Sequence, residues 1–161
     1  AAYVRGVRAA LERQGIRGVI FGHAGDAHVH VNPLIDVRLA DWRARAAALL
    51  EEVTALVASL GGTLAGEHGD GRLRTPLLAA TWPTETRALF AAVKAACDPA
   101  GILNPGVKVP LAGQAAIEGV KYDPALPPLP AAARRALDEV SEKRAYDRFR
   151  LALLEEGAGQ A

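Results

Sequence analysis

All four histidines of this chain fall in two short stretches, Phe21-Gly-His-Ala-Gly-Asp-Ala-His-Val-His-Val-Asn32 and Gly66-Glu-His-Gly-Asp-Gly71. Apolar residues alternate around His23, His28 and His30, the pattern of a half-buried strand. Gly25-Asp26 interrupts the run as a turn would. A two-residue turn at Asp26-Ala27 sets Gly25 opposite His28, Ala24 opposite Val29 and His23 opposite His30. Directly opposed residues have Cβ atoms about 5 Å apart. Two imidazoles so placed can share one metal ion, bound about 2 Å from each nitrogen. His28 and Asn32 then lie on the same face as His30. Asp-Ala suits such a turn less well than Asp-Gly, because the second position wants a positive φ.

Glu67 adds a carboxylate from the second stretch. Two imidazoles and one carboxylate make a three-ligand catalytic metal site with an open position. His68, next to a ligand on an irregular backbone, can face whatever fills that position. An imidazole is suited to take a proton from a substrate hydroxyl whose own pKa the metal lowers. Gly66, Gly69 and Gly71 permit a tight backbone and close approach of a ligand.

A single histidine in a strand is more often a hydrogen-bonded polar group than a ligand. Three features outweigh that here: the facing pair His23 and His30, the Glu67-His68 neighbours, and a preceding strand expected in the same sheet. Other candidates carry less. The second stretch lacks the Gly-Lys-Ser/Thr ending of a phosphate loop and opens no dinucleotide-binding helix. Arg72 and Arg74 could hold a carboxylate bidentately, though solvation is the commoner fate of arginine. Cys97 is expected to pack as a small apolar residue at a helix end. Asp70 is expected to brace its loop through local hydrogen bonds.

The elements that must position these residues read clearly. Val4, Val7 and Leu11 predict a helix over residues 2–14, stopped by Gly15. Strands follow over 18–23 and up to Asn32, where Pro33 ends the ladder. A long helix capped at or near Asp41 carries Leu39, Trp42, Ala46, Leu49, Leu50, Val53, Leu56, Val57 and Leu60 as one stripe. Arg43, Arg45, Glu51 and Glu52 are placed away from that stripe. Gly61-Gly62 ends it, and residues 63–65 make a short strand into the second histidine stretch. A short helix covers 76–80. A better one runs 84–97 with Leu89, Phe90 and Val93 inward, and Asp98-Pro99 stops it. Residues 104–130, rich in Pro and Gly, read as an extended strap. A final helix over 130–155 has Leu137, Val140, Phe149 and Leu153 as a thin apolar face. The order predicts an α+β layer, an antiparallel sheet covered on one side by helices.

Composition narrows the classes. The chain has 161 residues, half of them apolar and 23% charged, with a net charge of +1. One core-forming domain is the default at that length, and the balance gives no electrostatic case for nucleic acid or membrane. The lone Cys97 excludes an internal disulfide or a cysteine-rich metal site. No apolar run spans a bilayer and no signal peptide is visible. The absence of methionine and a start within a helix suggest a piece of a longer polypeptide, whose site would then be completed elsewhere.

Three stretches also resemble a known family: Gly22-His-Ala-Gly-Asp-Ala-His-Val-His30, Gly66-Glu-His-Gly-Asp-Gly71 and Asp98-Pro-Ala-Gly-Ile-Leu-Asn-Pro-Gly106. Their order and spacing are similar to the C-terminal domain of FAD-linked oxidases, the group of D-lactate dehydrogenase, D-2-hydroxyglutarate dehydrogenase and glycolate oxidase. The likeness covers residues 1–109 as the substrate and metal domain, and leaves 110–161 as strap and final helix. It implies a ferredoxin-like fold and a divalent metal, usually zinc, held by His23, His30 and Glu67. It implies His68 as the base that deprotonates the hydroxyl of a D-2-hydroxy acid while hydride passes to the flavin. By the same resemblance Asn32 contacts substrate, and Asn104 lies in a segment reaching back toward the flavin. FAD itself, and basic residues for the substrate carboxylate, belong to an upstream domain absent from this chain, so the chain alone is expected to bind no FAD and turn nothing over.

The family pattern has Gly-Asn where this chain has Ala27-His28, and Pro-Gly-Lys where it has Pro105-Gly-Val-Lys108. An iron–sulfur or other electron-transfer partner, and a cytoplasmic place with peripheral attachment to a membrane through the acceptor, follow as expectations. A zinc hydrolase using the same ligands on a bound water, and a docking domain whose histidines merely pack, are the competing readings of the same residues.

Overall fold

The computed structural model describes residues 1–117, 120 and 123–143. Helix α1 (Ala2–Arg13) leads into strand β1 (Arg17–His23), a 3-10 turn (Ala24–Asp26) and strand β2 (His28–Leu34). Helix α2 (Trp42–Ser59) follows, then the four-residue α3 (Gly71–Arg74), a 3-10 helix (Thr75–Ala80) and α4 (Thr84–Cys97). Helix α5 (Ala131–Lys143) comes last. The chain falls into two units, Ala1–Pro124 and Ala125–Ala161. Within the second, α5 carries an Arg134–Asp138 pair one helical turn apart at 3.4 Å. Phe149 and Leu153, expected on its apolar face, lie outside the described residues, and Leu137 is exposed.

Both α1 and α2 end where their glycines demand. Gly15 and Gly61 take φ values of 59° and 68°. Ile16 N–H then donates to Leu11 O at 2.9 Å, and Gly62 N–H to Val57 O at 2.9 Å. These are the six-to-one closures of the Schellman motif, which give the last carbonyls of a helix a donor. At the other end of α2, Asp41 occupies the cap position but its side chain makes no capping hydrogen bond.

The core lies on one face of the hairpin. Val7, Ala10 and Leu11 of α1 are buried with Ile16 and Leu49, and Ile20, Val31, Ile35, Val53 and Leu56 pack around them. Full burial of a Val or Leu contributes roughly 1.5–3 kcal/mol, so the α1 stripe holds the sheet to the helices. Arg13 and Gln14 bind Glu52 at 2.6 Å each, and Arg45 donates to Gly15 O at 2.7 Å. Arg45 and Glu52 therefore tie α2 to the end of α1.

The described sheet has two strands, and mixed with helices it makes an α+β fold. Several expectations need correction. Residues 63–65 form no strand; Thr63 Oγ1 instead satisfies Ala65 O locally at 3.2 Å. Pro33 does not end β2, which continues to Leu34 at the hairpin's outer end. Leu39 and Leu60, at the two ends of the α2 stripe, are exposed. In α4, Leu89 and Val93 are 65% and 64% exposed, and only Phe90 is partly covered, by Trp82 at 5.7 Å between ring centroids. Helical spacing specifies which residues share a face, not whether anything covers it. Cys97 is exposed, because α4 ends with that side of the helix open.

Candidate functional site

The hairpin turn decides where the histidines stand. Instead of a two-residue turn, Ala24–Asp26 makes one 3-10 turn and Ala27 alone takes the left-handed conformation, φ 52°. A tight two-residue turn needs positive φ at both central positions, which Asp-Ala resists. The wider turn confines that strain to one residue. His23 consequently pairs with His28, Phe21 with His30 and Val19 with Asn32, so the expected pairing of His23 with His30 is wrong by two residues. Because side chains alternate with a period of two, a two-residue shift keeps every one on its expected face. Ile20 and Val31 face the core; His23, His28, His30 and Asn32 share the opposite face.

Gly22 is required at that turn for space. A Cβ on it would sit 2.1 Å from the His28 carbonyl oxygen.

Glu67 reaches the imidazole face from the loop after α2. Its Oε1 lies 3.0 Å from His30 Nε2 and 3.4 Å from His28 Nε2, and its Oε2 lies 3.7 Å from His23 Nε2. One donor atom each from His23, His30 and Glu67 lie mutually within 4.8 Å. Donors bound about 2 Å from one ion stand about 3.3 Å apart in a tetrahedron, so this set needs only small side-chain adjustments to meet on a single divalent ion. His68 Nε2 is also 3.0 Å from Glu67 Oε1, but its side chain is 71% exposed. It stands on the solvent side of the cluster. Phe21 stacks on His30 with ring centroids 4.8 Å apart, which fixes that ring's plane. His28 is the best buried of the four, at 17% side-chain exposure, and its Nε2 is enclosed with no hydrogen-bond partner.

Behind the site, the loop is braced from a distance. Asp70, only 3% exposed at its side chain, pairs with the Lys108 ammonium, which also lies 5.2 Å from the Phe90 ring centroid. Lys108 N–H donates to Thr75 Oγ1 at 2.9 Å. The bracing of Asp70 thus comes from a lysine 38 positions away rather than from local bonds, a role that sequence reasoning missed. The one signal was the extra residue in Pro105-Gly-Val-Lys108. Arg72 donates to Pro105 O at 2.9 Å and Arg74 to Gly69 O at 2.8 Å, so both engage the loop backbone. Gln114 completes this layer by donating to Arg72 O and Gly106 O, 2.9 Å each.

The third stretch is organised by Asp98. Its carboxylate accepts from Ile102 N–H at 3.0 Å and Leu103 N–H at 2.9 Å and pairs with Lys94. The Lys94 ammonium, before any other influence, holds this carboxyl below the usual range. Asn104 follows in the left-handed region, φ 46°, and is exposed. Asn32 is likewise exposed on β2. The structure brings His23, His30, Glu67 and His68 together and sets Asn32 on their face. It does not place Asn104 among them.

Among the described residues no helix is long and apolar enough to cross a membrane. Comparison with known sequences gives a match to the family described as FAD linked oxidases, C-terminal domain, over residues 1–107. Glycolate oxidase subunit GlcD of Bacillus subtilis is 36% identical over 106 residues, 66% of this chain and 23% of that protein. D-lactate dehydrogenase of Archaeoglobus fulgidus is 36% identical over 106 residues, again 66% and 23%. D-2-hydroxyglutarate dehydrogenase of Escherichia coli is 36% identical over 113 residues, 70% of this chain and 11% of the relative. The chain therefore spans about a quarter or less of the length of the curated relatives it matches.

Proposed function

The chain belongs to the family of FAD linked oxidases through their C-terminal domain, and on that premise we propose that it is the metal and substrate domain of a flavin-dependent dehydrogenase of D-2-hydroxy acids. The observation that carries this reading is the convergence of donor atoms from His23, His30 and Glu67, with the exposed His68 Nε2 3.0 Å from the same carboxylate. Three relatives that act on glycolate, D-lactate and D-2-hydroxyglutarate by name share the region that contains it.

His23, His30 and Glu67 would hold a divalent ion; a nitrogen-rich set with one carboxylate suits zinc among other metals. When bound, that ion lowers the pKa of a coordinated hydroxyl and orients it. His68, outside the ligand set and open to solvent, takes the hydroxyl proton on Nε2. FAD, held by the upstream domain, would supply the acceptor for the hydride on the substrate's C2, so that the hydroxyl carbon could become the carbonyl of the 2-oxo acid. Asn32, on the same strand face two residues from His30, contacts the substrate. Asn104 would lie on the segment that reaches toward the flavin.

FAD is assigned to a domain upstream of this chain, which would also supply cations for the substrate carboxylate. The same larger polypeptide would extend the two-stranded hairpin toward the ferredoxin-like sheet of the family. Residues 1–109 are the substrate and metal domain in this reading. Residues 110–161 would serve to meet an electron-transfer protein, iron–sulfur or otherwise, in the cytoplasm or at the membrane's inner edge.

The test replaces two histidines in the polypeptide joined to its flavin domain. His68→Ala should lower kcat by roughly 10²–10⁴-fold, the usual weight of a positioned general base, with zinc and flavin retained. His30→Ala should release the zinc. Full turnover by His68→Ala, or equal zinc retention by His30→Ala and wild type, would overturn the assignment. The 161-residue chain by itself should come off a column colourless and inactive.

A further inference from the structure

The imidazole least explained by this arrangement is His28. It stands directly across the hairpin from His23, their rings stacked at 5.6 Å and 24°, and meets His30 edge-on at 4.6 Å. Its Nδ1 edge rests over Gly66, so tightly that a Cβ there would be 2.1 Å away. Its Nε2 points the other way, 3.4 Å from Glu67 Oε1, enclosed and without a hydrogen-bond partner. A buried ring nitrogen left unpartnered costs about 1–3 kcal/mol. Nothing in the packing offsets that cost, and an edge pressed on one glycine while the other aims at a shared carboxylate is poorly described as filler.

We propose that His28 is a fourth protein ligand, bound through Nε2 to the same divalent ion as His23, His30 and Glu67. The proposal rests on the metal reading above and deepens it. Donors around one ion stand about 3.3 Å apart in a tetrahedron, and the 3.4 Å and 3.0 Å separations of His28 and His30 Nε2 from Glu67 Oε1 are of that size. His28 is outside the group of donors mutually within 4.8 Å. Of the three imidazoles, His23 has the side chain most open to solvent, at 58%, and its rotation closes the set without disturbing the buried pair.

Three imidazoles and a carboxylate fill a tetrahedron, so substrate can enter only if the ion accepts a fifth or sixth ligand. That requirement shifts preference from a strictly four-coordinate ion toward one that expands its shell.

The experiment uses the full chain loaded with zinc, its affinity measured by competition with a chromogenic chelator and its ligands counted by X-ray absorption. Wild type should show three imidazoles and His28→Asn two, with affinity reduced at least about tenfold, a loss at least as large as removal of an outer-shell partner. Circular dichroism confirms that the variant folds, and the imidazole count on wild type alone decides the matter if it does not. Two imidazoles in wild type, or undiminished affinity in His28→Asn while His30→Ala loses zinc, would overturn the role of His28 and leave the metal reading standing. Failure of wild type itself to bind zinc, cobalt or manganese would overturn both.

Discussion

Gly66→Ala separates space from backbone freedom in the second histidine stretch. The added methyl would lie 2.1 Å from His28 Nδ1 and 2.7 Å from Cε1. Ordinary contact between such atoms begins near 3.5 Å, so the ring must retreat by about 1.4 Å or more. Metal–ligand distances tolerate about 0.2 Å, and a displacement several times larger takes His28 out of any shared coordination and pushes it against His30, whose ring centroid is 4.6 Å away. Gly66 has no left-handed φ, and the obstructing group is a side chain that can rotate. The loss of folding stability should therefore stay within about 1 kcal/mol. Zinc affinity, read by chelator competition, should fall about tenfold or more, the range seen when supporting partners are lost.

Gly69→Ala is the matched control. Its Cβ meets nothing within 4 Å, but its φ is +70°, so the variant should lose about 1–2 kcal/mol of stability through left-handed strain. Its zinc affinity per folded molecule should be close to wild type. If Gly66→Ala binds zinc as wild type does and its structure shows the His28 ring unmoved, the steric reasoning is refuted.

Two further outcomes follow from pairs outside the histidine cluster. Lys108→Met strands the buried Asp70 carboxylate, and since Lys108 is 45% exposed water softens the usual 3–5 kcal/mol cost of an orphaned buried charge to about 2 kcal/mol. Adding Asp70→Asn should restore part of that in urea melts; additive losses would mean that the two groups do not interact. Asp98 binds its proton less readily folded than unfolded, because Lys94 holds its pKa down. Its stabilising contribution is thus complete above the ordinary carboxylate range and disappears as pH falls through the lowered folded value. Urea midpoints of wild type should drop over that acid window more steeply than those of Asp98→Asn. Equal slopes would remove Asp98 from the account.

Those pairs also show where a sequence stops being readable. The Gly15 and Gly61-Gly62 stops are legible because the reason is local: only a residue at ease with positive φ allows the closing hydrogen bonds. The same holds for the alternation around His23, His28 and His30, which assigns faces without any knowledge of partners. Lys108 and Asp70 were not legible as a pair, since the extra residue before Lys108 marks a local departure but does not announce a partner 38 residues away. Nor were the exposed Leu89 and Val93. An apolar stripe records that a face is meant to be covered, and its cover is not among the described residues.

The hairpin shows why a wrong register can still yield the right cluster. The expected turn paired His23 with His30; the observed one pairs His23 with His28, a slip of two. A slip of one would have turned His28, His30 and Asn32 into the core, where Ile20 and Val31 pack, and left the unpaired imidazoles to bear the desolvation cost. Burial of the opposite face therefore rules out odd slips and is indifferent to even ones. Even slips are decided by the turn, and there the sequence speaks weakly, through a single alanine made to adopt φ 52°. A glycine in its place would adopt that backbone without strain. If Ala27→Gly raises stability by roughly 1 kcal/mol and leaves zinc affinity unchanged, strain at Ala27 is the cost of setting His28, rather than His30, across from His23. A destabilised Ala27→Gly would mean that residue 27 is held by something other than its backbone.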